Sequence, residues 1–211
     1  MPFAVHHGGP LAPEGSAAMS QTTKRALESS LKRLLLKTPL DKITVSQLAA
    51  DCGINRMTFY YHFKDIYDLV EWCCAEDVRL ALEGKFTYDT WQEGFLNIFR
   101  LAEKNKAVVL NIYRGASQDQ LRRYLGPFVQ RLVRHMVEQL AQDMAVDDGD
   151  KQFIARFYEY ALVGILLDWV QHDMREDPAA IVDRTSVLMR GSIHRALEAF
   201  RTGQMPGETA I

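Results

Sequence analysis

Cysteine is scarce in this chain. Cys52, Cys73 and Cys74 are the whole set among 211 residues. No two of them form a Cys-x-x-Cys pair, and adjacent cysteines rarely bridge each other. A sparse, odd count excludes a disulfide-stapled secreted domain and suits a reducing, cytoplasmic setting. Long apolar runs are missing too, so no segment has the length of a membrane span. The opening stretch MPFAVHHGGPLAPEGSAA lacks the basic start and apolar core of a signal peptide. Its Gly, Pro and Ala content predicts a disordered leader over residues 1–19, with Met19 a candidate native start and His6-His7 part of that leader rather than a metal site. There is no Gly-rich phosphate loop, zinc-binding helix motif or G-x-S-x-G elbow, which leaves enzyme chemistry without a carrier. Strand-type alternation and solenoid repeats are also lacking.

What is present is helical patterning around one stretch, Thr44 to Phe63, TVSQLAADCGINRMTFYYHF. Thr44 followed three residues later by Gln47 is a capping box. Leu48, Ala49 and Cys52 share one face of the helix that follows. Gly53 ends it and turns the chain, and Asn55 caps a second helix over Arg56–Phe63. In that helix Phe59 and Phe63 face inward at i, i+4. Arg56, Met57, Thr58, Tyr60, Tyr61 and His62 are left outward or sideways. A row of donors and aromatics has no purpose on a purely structural helix. It suits the second helix of a helix-turn-helix, which meets base edges and phosphates.

The pattern T-V-x-x-L-A-x-x-x-G-I-x-R-x-T-F-Y-Y-H-F-K-D resembles the helix-turn-helix of the TetR family of bacterial transcriptional regulators. The run FYYHFKDIYDLVEW is similar to the dihydroxyacetone-kinase regulator (DhaS-like) subset. The resemblance is specific over residues 24–76 and architectural beyond. It implies an all-α fold with a three-helix DNA-binding head over 20–66, a helical effector-binding and dimerisation body over 67–204, and a flexible tail over 205–211. It also implies a homodimer on a near-palindromic operator, with no metal and no cofactor. The effector side stays open between a small molecule and, as in the DhaS-like subset, a protein coregulator. Many family members carry a phosphate-binding lysine where this chain has Ile66; Lys64, two residues earlier, is the substitute. Base reading is assigned to Arg56, Met57, Thr58 and Tyr61, and phosphate positioning to Thr44, Gln47, Tyr60, His62 and Lys64.

Charge agrees with a division into head and body. Residues 19–66 hold eight Lys/Arg against four Asp/Glu, whereas residues 67–211 hold 17 against 22, within a net charge of −2. A basic head on an acidic body keeps the body off DNA.

Around the motif, a first helix is expected from Thr22 or Thr23, with Leu27, Leu31, Leu34 and Leu35 as its apolar stripe and Pro39 beyond its end. Asp65 caps a fourth helix that Gly84 closes. Asp89 with Gln92, and Ser117 with Gln120, read as further capping boxes. Gly126-Pro127 predicts an interruption or kink, and Asp147–Asp150 a solvated turn. Two long helices finish the chain: one from Asp150 through YEYALVGILLDWV, the other from Asp177-Pro178 to Gly203. Asp168 and His172 have metal-ligand spacing but no further ligand nearby in sequence, so a local hydrogen bond is the expectation. The apolar run predicts a dimer interface using Leu162, Ile165, Leu166, Trp169, Leu188, Met189 and Ile193. The helix break predicts an effector cavity bounded by Phe95, Phe99, Tyr113, Phe128 and Tyr158.

Overall fold

Helix caps and apolar stripes set the architecture. The computed structural model describes residues 14–82 and 87–203, and every regular element among them is helical. In order these are α1 (Glu14–Leu35), a 3-10 turn (Leu40–Lys42), α2 (Val45–Asp51), α3 (Arg56–His62), α4 (Ile66–Leu82), α5 (Trp91–Lys104), α6 (Lys106–Gly115), α7 (Gln118–Leu140), α8 (Asp148–Gln171), α9 (Pro178–Met189) and α10 (Ser192–Thr202). The first part of the expected leader, the Gly84 stop and the tail over 205–211 lie outside the described residues. Helix α1 starts eight residues before Thr22, inside the segment expected to be disordered, through Ala17 and Ala18, which are good helix formers.

Two apolar clusters organise the chain. The head cluster joins Leu27, Leu31 and Leu35 of α1 to Leu48, Phe59, Phe63, Leu69 and Val70. It does not stop at the head: Leu121 and Tyr124 of α7 and Val163 and Leu167 of α8 belong to it. The body cluster gathers Trp91, Phe95 and Phe99 of α5 with Val133, Met136 and Val137 of α7, Leu162, Leu166 and Trp169 of α8, and Ile193 and Leu197 of α10.

Polar contacts close the same seam. Glu28 is buried yet charged-type, and both its oxygens are used: Arg25 Nη1 donates at 2.8 Å and Lys32 Nζ at 2.8 Å. The same cations reach α4, Arg25 to Glu76 at 2.7 Å and Lys32 to Asp77 at 2.8 Å. On the other side, Asn111 Nδ2 donates to the Leu35 carbonyl at 2.8 Å. Gly115 packs so tightly on the 3-10 turn that a Cβ there would lie 2.5 Å from the Leu40 backbone nitrogen. Burial alone would raise the Glu28 carboxyl, but the hydrogen bonds from Lys32 and Arg25 outweigh it and hold its pKa below the usual glutamate value.

Several boundaries differ from expectation, each for a local reason. Asp89 does not cap α5; Thr90 holds the N-cap position and its hydroxyl accepts instead from the Thr87 amide at 3.1 Å. Helix α7 runs through Pro127 without interruption. Gly126 explains its seat: a Cβ there would meet Glu159 Oε1 at 2.8 Å, so glycine lets α8 close on α7. Asp147 is the N-cap of α8, its carboxylate accepting from the Gly149 amide at 2.7 Å, and Asp148 and Asp150 lie in the first turn, where the helix dipole favours acids. The expected last helix is two. Arg190 is non-helical and Gly191 is left-handed at φ 67°, which separates α9 from α10. Ser192 mends the break by donating to the Met189 carbonyl at 2.8 Å.

The expected dimer residues need correction for the same reason. Leu162, Leu166, Trp169, Met189 and Ile193 are buried within the protomer's own core, Ile165 is half-buried, and only Leu188 is exposed. The apolar face of α8 that does meet solvent carries Phe153, Phe157 and Tyr160. A run apolar on all sides gives periodicity no face to choose, and packing against α7 and α10 made the choice.

The Glu28 bridge generates a prediction with a definite sign. A depressed carboxylate contributes stability above the ordinary glutamate value and loses it as pH falls through its folded value. Glu28→Gln should cost about 1–3 kcal/mol at pH 7, and the difference from wild type should shrink as the medium is acidified through that value. Urea unfolding of both proteins along a pH series measures it.

Candidate nucleic-acid interface and the cavity behind it

The surface around α3 is built by two caps and one anchor. Thr44 Oγ1 accepts from the Gln47 amide at 3.2 Å while Gln47 Oε1 accepts from the Thr44 amide at 2.8 Å, so the capping box is complete. Asn55 Oδ1 accepts from the Thr58 amide at 2.8 Å and starts α3. Each such cap is worth about 1 kcal/mol. Between the two helices Gly53 takes φ 66°, a left-handed turn that glycine adopts freely. Phe59 then locks the rotation of α3, with 0% of its surface exposed. Phe63 sits beside it at a ring-centroid distance of 6.1 Å.

With Phe59 inward, the opposite face is fixed. Met57 is 75% and Tyr61 80% exposed. Arg56, Tyr60 and Lys64 are exposed, as are Thr44 and Gln47 at the start of α2, and Thr58 and His62 are half-buried. All nine expected residues therefore fall on or beside one surface. Their chemistry is more restricted than sequence suggested. The Thr58 hydroxyl already donates to Asn55 Oδ1 at 3.1 Å, which leaves its methyl outward-facing chemistry, and the Thr44 hydroxyl donates to Gln47 Oε1 at 3.0 Å. Burial first, and the nearby Lys24 charge second, lower the His62 pKa. At neutral pH this imidazole is uncharged and offers one N–H. The lysine missing at Ile66 leaves Lys64 in the turn before α4, its backbone amide held by Asp68 Oδ2 at 2.8 Å and its ammonium outside.

Behind the head lies a cavity of about 140 Å³, walled by α1, α4, α5, α6, α7 and α8. Of the five aromatics expected around an effector cavity, Tyr113 lines it. Phe95 and Phe128 border a smaller void of about 20 Å³. Phe99 is in solid core, edge-on to both Phe95 and Trp169 at 4.8 Å. Tyr158 is hydrogen-bonded to Ser192 Oγ at 2.6 Å and lines neither void. The break at Gly126-Pro127 did not create the space, since α7 is continuous there. Sequence offered no signal for a cavity assembled from six helices. The seam residues were half-visible, Glu28 and Lys32 being i, i+4, while Glu76 and Asp77 were not.

The remaining metal candidate is local. His172 Nδ1 lies 2.8 Å from the Asp168 carbonyl, and among the described residues no group of three His, Cys, Asp or Glu side chains is placed to hold a metal ion. No described helix is long and apolar enough to cross a membrane.

Comparison with known proteins places this geometry. Residues 30–73 match the family described as "Bacterial regulatory proteins, tetR family", and residues 89–191 match a "Transcriptional regulator C-terminal region" of the same group. The chain belongs to the TetR family. TetR chains are transcriptional regulators with a DNA-binding head, so this one is a regulator and not an enzyme. It is similar to the HTH-type dhaKLM operon transcriptional activator DhaS of Lactococcus lactis subsp. lactis (strain IL1403), 24% identical over 91 residues. That match takes 43% of this chain and spans about half, 49%, of that relative. The solved structure of the dihydroxyacetone kinase operon activator DhaS superposes with a TM-score of 0.58 at 18% identity, covering 85% of this chain and 98% of that one. NalD, the secondary repressor of the MexAB-OprM multidrug efflux pump in Pseudomonas aeruginosa, gives 0.52 at 16% identity, covering 84% and 98%. At these identities the structural likeness is one of fold, and the all-α head-and-body arrangement is the TetR one.

Proposed function

We propose that this TetR chain acts as a homodimer on a near-palindromic duplex site, with one α3 in each of two successive major grooves, and that a ligand bound in the body changes its DNA affinity. The observation that supports the DNA reading is the polarity of α3: Phe59 is wholly buried while Arg56, Met57, Tyr60 and Tyr61 stand in solvent on the other face. Arg56 has the two-pronged donor that fits guanine O6 and N7, and Met57 or the Thr58 methyl fits a thymine methyl. Tyr61 completes the base-reading set. Tyr60, His62 and Lys64 flank it and donate to phosphates, with Gln47 contributing its amide N–H from α2 and Thr44 holding that amide in place.

Homodimerisation is supported by the stripe of Phe153, Phe157 and Tyr160 on α8, large apolar groups at 54%, 61% and 54% exposure. Gly164 extends the same face, and a Cβ there would meet nothing within 4 Å, so a second backbone can approach. Pairing this face with its symmetry copy removes a patch that a monomer would leave in water.

Two measurements check these readings. In gel shifts against duplexes enriched from a random pool, Lys64→Ala should weaken binding to every sequence and lower the salt slope by about one unit. Arg56→Ala should cost about 1–3 kcal/mol per half-site and relax preference at one base position. The division of roles fails if Lys64→Ala changes the selected sequence and Arg56→Ala does not. Absence of any duplex binding at low salt would favour the partner-dependent coregulator reading. For assembly, Phe157→Glu should sediment as a folded monomer where the wild type sediments as a dimer; a wild type that is monomeric at micromolar concentration refutes the interface.

A further inference from the structure

The cavity at the seam has walls whose chemistry narrows what can occupy it. We propose that it binds a small, neutral, mainly apolar molecule about the size of a substituted benzene, and that the head helix α1 forms part of the binding wall. This inference rests on the effector-responsive reading above and gives the effector its chemical class.

Size comes first. The cavity of about 140 Å³ is close to the roughly 150 Å³ apolar cavity that stays dry and takes up benzene. Its walls are Leu35 of α1, Val70 of α4, Val109 and Ile112 of α6, and Leu166 and Val170 of α8, with few polar groups among them. Those polar groups are already engaged. Lys32 Nζ is shared between Glu28 and Asp77, each at 2.8 Å, so the one cation and the one carboxylate at the wall neutralise each other. Asn105 Nδ2 donates to the Leu101 carbonyl at 2.9 Å, and Tyr113 Oη is bonded to Gln171 and Gln118 at 3.1 and 3.0 Å. Burial pushes the Cys74 thiol up to about 12, so it carries no charge at neutral pH. A charged guest would lose its hydration and find no free counter-ion.

Position comes second. Leu31, Lys32 and Leu35 belong to the helix that carries the DNA-binding head, and α6 opposite them is tied to that helix through Asn111 and the Leu35 carbonyl. A guest between α1 and α6 presses on both sides of the joint that orients α3. Ligand and DNA therefore bias the same joint, and their affinities are reciprocally linked.

The test uses the full chain and three probes of similar size: toluene, benzoate and benzylammonium. Toluene should raise Tm saturably by about 2–4 °C, and the two ions should leave it unchanged. The shift should vanish in Val109→Phe and in Ala102→Leu, two substitutions that fill the space from different walls, each checked for helical content and a cooperative melt. The inference is overturned if toluene gives no shift, if benzoate or benzylammonium matches it, or if the shift survives in both filled variants. Duplex affinity with and without toluene separates this from the broader reading. Toluene bound in the cavity with unchanged duplex affinity supports the site and refutes effector control. A charged compound that alters duplex affinity without competing for toluene's site, toluene itself giving no shift, refutes the site and keeps effector control.

Discussion

The head of this protein has no core of its own. Leu27, Leu31 and Leu35 are buried with Phe59 and Phe63 on one side and with Leu121, Tyr124, Val163 and Leu167 of the body on the other. Each apolar side chain of that kind contributes about 1.5–3 kcal/mol when fully removed from water. Detaching the head would re-expose several of them at once, a loss comparable with the whole stability of a small domain. The orientation of α3 is thus set by the body as much as by the turn before it. The ion bridges from Arg25 and Lys32 add direction more than strength, since their cations are partly solvated and such pairs contribute little individually.

From that constraint the functional surface follows. Buried Phe59 fixes which face of α3 points away, and the caps at Thr44 and Asn55 fix where α2 and α3 begin. Small residues let the parts close: Gly115 against the 3-10 turn and Gly126 against Glu159. The same closeness means that a change at the seam is transmitted rather than absorbed, because packed interiors transmit strain. A regulator needs this property, and here it lies where α1, α4 and α6 meet.

Much of this was legible in the sequence where the signal is local. The capping boxes Thr44–Gln47 and Ser117–Gln120, the Gly53 turn, the Asn55 cap and the inward pair Phe59 and Phe63 all stand as read. Local signals also misled. Asp89 and Gln92 have capping-box spacing, yet the Thr87–Thr90 turn takes the cap position. Gly126-Pro127 looks like a break, but tertiary packing against α8 holds the helix through it. The long helix beginning at Asp148 is apolar on every side, so its pattern could not say that Leu162, Leu166 and Trp169 face inward and Phe153, Phe157 and Tyr160 outward. The cavity was illegible for a deeper reason: it is a gap between six helices, and no residue type marks an absence of atoms.

The central claim is that α3 reads the major groove. Methylation interference on an enriched duplex tests it most directly, because guanine N7 lies in the major groove and adenine N3 in the minor. The account predicts that N7 methylation blocks binding at guanines in two patches about one helical turn apart, and that N3 methylation between them does not. Interference confined to adenine N3, or a single patch without a symmetric partner, would contradict it.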